Sequence, residues 1–380
     1  MASRFSPRPV FLAVSLMLMA GSVYAQVEIK VGVAGPLTGA NAAYGKDNEN
    51  GVQLAIDQAN AINPTIGGQK VKFVLDSQDD QADPRIGVQV AQMLVDDKVA
   101  FVVGHFNSGT AIPASRIYAK AGIPMITPSA TSPALTQDGL DNVYRVIASD
   151  AQIVGKAGVY ATTVLKAKRI AIMDDSTAFG RGEADQFVDA AKAHGATIVD
   201  REFTNDKAVD FSSQLTNIKA KRPDLIFFGG LDVQAAQVLK RMRQLGIKAQ
   251  LVAGGAIKDA QFIQIAGPDA EGTQAWESGQ PMDDLPKGKE FKAAFKQKFG
   301  KDMLAYAPYA YDAAWIGIKA LEKTNSTDPA KLNADLHATD YDGVTGYITF
   351  AKNGDLKNSS ATMYQVKNGK WAPVTTKTGD

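Results

Sequence analysis

Twice along this chain, short apolar runs alternate with stretches whose apolar residues recur at helical spacing. That rhythm restricts the fold more than any other feature. The first series opens with Val27–Val33, where apolar and polar positions alternate as in a strand, and continues through a Gly/Pro loop, Ala34–Gly39. Val52, Ala55, Ile56, Ala59 and Ile62 then mark an amphipathic helix over 48–62. Val71–Leu75 reads as the next strand, and Asp83-Pro84 supplies an N-cap and a first-turn proline for a helix ending near Asp96. Ala100–Val103 and Pro124–Pro128 add further strands, with a helix around Ala114–Ala119 between them. The second series starts at Arg169–Met173. It runs through helices over 182–193, 211–220 and 233–245 and strands at 197–199, 224–228 and 250–252. Repeated strand–helix alternation predicts an α/β fold with parallel sheets covered by helices on both faces. The segment 143–151 between the two series reads as a crossover. After Trp276 the pattern changes to helices over 291–299 and 306–321, then to antiparallel strands at 346–350 and 361–366 with Asn-Gly turns at 353–354 and 368–369. The late helices have no sheet of their own nearby, so they are expected to return to the first series and make both domains discontinuous.

Chemistry-bearing residues concentrate where strands end. After Val102-Val103 the chain enters His105-Phe106-Asn107-Ser108-Gly109-Thr110 and then a helix, so free backbone N–H groups and the positive end of a helix dipole point outward together. Such a turn suits a carboxylate or other anion, and equally serves as a plain helix cap. Other chemistries are absent. There is no phosphate-binding glycine loop, no Gly-x-Ser-x-Gly elbow and no His-Glu-x-x-His. The three histidines, His105, His194 and His337, are scattered, and a structural role is expected for His105. The acidic pairs Asp79-Asp80 and Asp174-Asp175 follow strands but lack the further ligands a metal would need. Catalytic residues, a metal and a cofactor are therefore not expected, and the chain is read as something other than an enzyme.

The amino terminus carries Arg4 and Arg8, an apolar run over 10–20 and small residues ending at Ala25, the layout of a secretory signal peptide cleaved after residue 25. With no cysteine, disulfides and a thiol-linked lipid anchor are both excluded. A net charge of +1 gives no bulk attraction to nucleic acid or anionic lipid. The expected protein is periplasmic and does not span a membrane once the signal is removed.

Several stretches together resemble the leucine/isoleucine/valine-binding proteins, the periplasmic receptors of branched-chain amino acid ABC transporters. They are Ile29–Gly39, Tyr44-Gly45, Asp79-Asp80, Val103–His105, Pro113–Ser115, Ile126–Thr131, Gly229-Gly230 and Ile265–Gly267. The resemblance implies a type I periplasmic binding protein. Its two doubly wound parallel-sheet lobes would be joined by three crossover segments, with the ligand in the cleft between. Residues 26–147 and 276–356 would form lobe I, and 148–275 and 357–380 lobe II. It puts the ligand carboxylate on Ser108 and Thr131 and the ligand amine on the carbonyl of Ser129, beside Ala130. Tyr44, Phe106, Asn107 and Tyr306 would wall the first lobe, and Phe179 and Leu231 the second. The implied partners are a small carboxylate or amino acid and a membrane ABC permease, and the resemblance implies a monomer.

One departure bears on the ligand. Where the family has a second-lobe Glu for the ligand ammonium, this chain has Gly255. Breaking a buried ion pair costs about 3–5 kcal/mol, so either Asp232 or Asp175 compensates, or the ligand lacks the amine. The expectation is a receptor for a branched-chain or related hydrophobic amino acid. The alternatives are an aromatic or 2-oxo carboxylate, or a ligand sensor feeding a signalling partner.

Overall fold

The computed structural model describes residues 26–379, so the expected signal peptide lies outside the described residues. Two sheets organise the chain. In the first, β1 (Val27–Gly35), β2 (Thr65–Ile66), β3 (Gln69–Asp79), β4 (Phe101–Gly104), β5 (Met125–Thr127) and β6 (Val143–Arg145) lie in the order β2-β3-β1-β4-β5-β6. All its pairs are parallel except β2–β3. In the second, the parallel strands are β7 (Arg169–Asp174), β8 (Thr197–Phe203), β9 (Leu225–Gly229), β10 (Gln250–Gly254) and β11 (Gln274–Ser278). A two-stranded ribbon, β12 (Tyr341–Asp342) and β13 (Tyr347–Ile348), stands apart. The antiparallel hairpin β14 (Ser360–Lys367) and β15 (Lys370–Thr378) then completes the second sheet, in the order β15-β14-β11-β10-β9-β7-β8.

The period-2 geometry of a strand explains why both sheets are covered on both faces. Phe101 and Val103 enter one core with α1 (Ala42–Ala61). Val102 enters another with α2 (Pro84–Asp96) and α3 (Ser108–Ala121). A short helix, α4 (Ala134–Gln137), precedes β6. In the second lobe Ile170, Ile172 and Phe227 face α5 (Asp150–Thr163) and α6 (Ala178–Ala193). Ala171, Met173 and Phe228 face α7 (Ser212–Lys221), α8 (Asp232–Gln244) and α9 (Ala260–Ala266). Among the later helices α10 (Gly288–Phe299), α11 (Ala307–Thr324) and α12 (Pro329–His337), α11 returns to the first sheet, where Ala310, Ala313, Ala314 and Ile318 share the core of α1.

Three differences from the sequence reading have simple causes. Residues 143–145 form strand β6 rather than a bare crossover, because Val143–Arg145 pair with β5 and the chain crosses only afterwards. The strand Gln274–Ser278 lies wholly in the second sheet and spans the expected 275/276 boundary, so that crossing follows Ser278. Tyr347-Ile348 pair with Tyr341-Asp342 and not with 361–366, whose partner is 370–378. The passages after Arg145, after Ser278 and before Ser360 carry the chain between the lobes.

Helix α11 is seated on α1 by one carboxylate and one glycine. Asp47 is buried and accepts the backbone N–H groups of Leu304 (2.9 Å), Tyr306 (3.0 Å) and Ala307 (2.9 Å), satisfying donors that a helix start leaves open. One turn further along α1, Gly51 lets the Ala307 carbonyl approach so closely that any side-chain carbon at 51 would overlap it. Gly51→Ala should therefore push α11 off α1 and destabilise the protein by about 1–3 kcal/mol, read as a lower urea midpoint.

Candidate functional site

Each sheet presents the carboxyl ends of its strands to the other, and strand order reverses at β1/β4 in the first lobe and at β7/β9 in the second. Such switch points leave a crevice where ligands of open α/β sheets bind. Between the lobes lies a cavity of about 30 Å³, enough for a group the size of a water or an ammonium head. Thr131, Ile147 and Tyr306 line it alongside Asp150, Ile153, Phe179, Glu183, Gly255, Trp276 and Glu277. A larger cavity of about 490 Å³ adjoins it and shares Glu277, Ser278, Ala305 and Tyr309.

Of the residues expected at the site, Thr131, Phe179, Gly255 and Tyr306 line the inner cavity. Tyr44, Phe106 and Tyr306 form an aromatic layer, with Tyr44 stacked on Phe106 at 5.6 Å and Tyr306 edge-on to Phe106 at 5.1 Å. Ser129 ties into that layer by donating its hydroxyl to the Phe106 carbonyl (3.1 Å). Asn107 precedes α3 with its amide oxygen buried and unpartnered, and Ser108 Oγ accepts the Ser132 N–H at 3.2 Å. Leu231 caps α8 without a side-chain bond and lies, like Ser108, outside the inner cavity lining. Ala130 has both backbone groups engaged: its N–H donates to Thr127 Oγ1 (3.0 Å), and its carbonyl accepts from Arg145 (2.8 Å). It therefore has no donor to offer a ligand.

Neither expected compensating carboxylate faces the cavity. Asp175 accepts the Thr177 N–H (2.9 Å) and hydroxyl (2.6 Å), so it organises the turn into α6. Asp232 is turned towards Asp259, whose Oδ2 accepts the Tyr44 hydroxyl from the other lobe at 2.7 Å. Burial, and then the neighbouring Asp259, push Asp232 up to about 7.

The acidic groups that do line the cavity are Asp150, Glu183 and Glu277, which the sequence reading missed. Asp150 and Glu183 are each no more than 2% exposed, and one oxygen of each has no hydrogen-bond partner among the described residues. The Thr131 hydroxyl is buried and unpartnered in the same way. Burial pushes Asp150 up to about 7, against the opposing pull of Thr131 and Arg145. Burial, then the charges of Asp150 and Asp175, raise Glu183 as well, with the Gly230 N–H working in the opposite direction. Glu277 has its own cation, Lys258, at 2.8 Å. Thr131, expected to meet a ligand carboxylate, thus has ionisable carboxylates beside its hydroxyl. No cluster of three His, Asp or Glu side chains among the described residues is arranged to hold a metal ion. A signal for Glu183 was available. It stands four residues before Phe187 and eight before Ala191, on the buried stripe of α6.

The loop carrying Thr131 is held by Arg145, which is fully buried. Its guanidinium donates to the carbonyls of Ala130 (2.8 Å) and Ser132 (3.1 Å) and pairs with Asp355 at 2.9 Å. His105, expected to be structural, is buried between Asp80 (2.8 Å) and the Tyr118 hydroxyl (3.0 Å), so a carboxylate does accompany it, supplied by the Asp79-Asp80 pair.

A family profile described as periplasmic binding protein matches residues 28–370, and the chain belongs to that family. A Leu/Ile/Val-binding protein of Rhizobium johnstonii is 33% identical over 91% of this chain and 94% of its own length. Among solved structures, a leucine binding protein from Thermotoga maritima is similar with a TM-score of 0.83 at 27% identity, covering 92% of this chain and 98% of that one. The branched-chain amino acid transporter substrate binding protein of Streptococcus pneumoniae, in complex with isoleucine, gives 0.82 at 27% identity, covering 92% and 99%. No helix of the described residues is long and apolar enough to cross a membrane.

The raised value of Asp150 has a signed consequence. Its folded value of about 7 lies above the ordinary 3.8, so its contribution to stability is full below pH 4 and is lost as pH rises through 7. In urea melts of the unliganded protein, Asp150→Asn should gain stability relative to wild type between pH 5 and pH 8, and a constant difference would count against the buried charge.

Proposed function

We propose that this protein is a periplasmic receptor that captures a hydrophobic amino acid, of the branched-chain or a related class, between its lobes and delivers it to a membrane ABC permease. The observation that carries the reading is the interlobe cavity. It combines apolar walls from Ile147, Ile153, Phe179 and Trp276 with buried polar atoms that no group among the described residues satisfies. Each buried methylene of a ligand side chain contributes about 0.8 kcal/mol against such walls. The inner cavity is small, so a whole amino acid enters as the lobes part and is held as they close, with its side chain directed towards the adjoining cavity. Contacts made only in the closed state drive the closure. The start of α3, with Asn107 and Ser108, offers backbone donors for the ligand carboxylate. The names of the relatives support an amino acid ligand. The buried acidic groups favour a ligand that keeps its amine over an aromatic or 2-oxo acid without one.

The test is a thermal-shift and calorimetric panel on protein freed of ligand by unfolding and refolding. Leucine, isoleucine, valine and phenylalanine at a hundred times their dissociation constants should stabilise by about 2.7 kcal/mol, and their 2-oxo analogues far less. Binding of the 2-oxo acids alone would overturn the amino acid reading.

A further inference from the structure

We propose that Glu183, together with Asp150 and the Thr131 hydroxyl, forms the subsite for the ligand's ammonium group, so that this carboxylate reaches the cleft from α6 rather than from the loop after β10. The proposal rests on the receptor reading above and names the residues that give it specificity. Three independent observations lead to it.

The first is unsatisfied chemistry. Asp150 Oδ2, Glu183 Oε2 and Thr131 Oγ1 are all buried without partners, and all three residues line one cavity. A carboxylate oxygen kept from water and from every donor is costly, and three acceptor-capable atoms around a space of ammonium size match the three donors of a primary ammonium. The second is that, among the described residues, the two cations beside the cavity are engaged elsewhere. Arg145 is committed to Asp355 and to the carbonyls of Ala130 and Ser132, and Lys258 is committed to Glu277. The third is the backbone opposite. A side-chain carbon at Gly254 would overlap Glu183 Oε1, and one at Gly255 would lie 2.8 Å from Glu277 Cα. Gly254 at the end of β10 is thus the space that the carboxylate of α6 occupies, and Gly255 gives room to the backbone and stem of Glu277. A longer residue at 255 and a glutamate at 183 are alternative ways of bringing charge to the same region.

The test compares Glu183→Gln with wild type, using L-leucine, L-valine and L-phenylalanine and their 2-oxo analogues as probes on refolded protein. The change keeps the shape and removes the charge. Amino acid affinity should fall by about a hundredfold or more, because the bound ammonium loses its principal counter-charge, while any weak 2-oxo acid binding should hold steady or improve. The melting temperature of unliganded Glu183→Gln should equal or exceed that of wild type, since a buried ionisable group with an unpartnered oxygen gives way to a neutral amide of the same shape. A merely structural Glu183 would instead give a lower melting temperature with proportionate losses for every ligand, and that result would overturn the proposal. Asp175→Asn and Asp232→Asn serve as comparisons and should change leucine affinity less than tenfold. A larger loss in either than in Glu183→Gln would move the subsite there and overturn it. Wild-type protein that binds amino acids with Glu183→Gln unaffected overturns the subsite alone. Wild-type protein that binds only the 2-oxo acids, or none of the probes, overturns the receptor reading and the subsite together.

Discussion

The cleft depends on one buried guanidinium. Arg145 stands at the end of β6, the last strand of the first sheet, and holds the carbonyls on either side of Thr131 while Asp355 balances its charge. Buried ion pairs add little net stability, but losing one partner leaves a charge stranded at a cost of about 3–5 kcal/mol. Such pairs fix a geometry more than they strengthen a fold. Here the fixed geometry is a three-residue loop whose central hydroxyl points into the interlobe space, beside the Asp150 that opens α5. The same guanidinium lies near enough to Asp150 to temper its raised proton affinity, so position and charge in the cleft share one origin.

Most of the architecture was legible because alternating burial is written into the strands. Phe101, Val102 and Val103 all read as apolar, and only a sheet covered on both faces accommodates that. The strands that escaped notice are those in which polar residues break the run. Gln274-Ala275-Trp276-Glu277-Ser278 is an inner strand, parallel to β10 and antiparallel to β14, yet two of its five side chains carry an amide or a carboxylate. The latter serves the cleft. Likewise β15, an edge strand, is mostly exposed and rich in Lys and Thr, so its sequence resembles a loop.

The lining of the inner cavity was legible in part, at Thr131 and Tyr306 and, across the cleft, at Phe179 and Gly255. Residues in turns after first-lobe strands, such as Phe106, Ser108 and Thr131, advertise themselves through hydroxyls and glycines at strand ends. Glu183 sits inside a helix, where a charged residue ordinarily means a solvated face. Recognising it required noticing that Glu183, Phe187 and Ala191 share one stripe, a conflict between chemistry and periodicity of the kind that marks functional positions. Asp232 and Asp175 stood in the expected loops, but each is drawn away by a local partner: Asp259 for one, Thr177 for the other. Loop position can be read from sequence, whereas the direction a side chain takes from its loop depends on neighbours that only the folded chain supplies.

The ion pair at Arg145 joins residues 210 positions apart. Asp355 belongs to the final passage between the lobes, close to the carboxyl end of the chain. A polypeptide emerging amino end first, from a ribosome or through a membrane pore, can assemble the strands of the first sheet long before that residue arrives. The loop around Thr131 then lacks its anchor, and long-range closures of this kind form slowly. The shape of that loop is therefore settled late, after the sheet it extends from has formed.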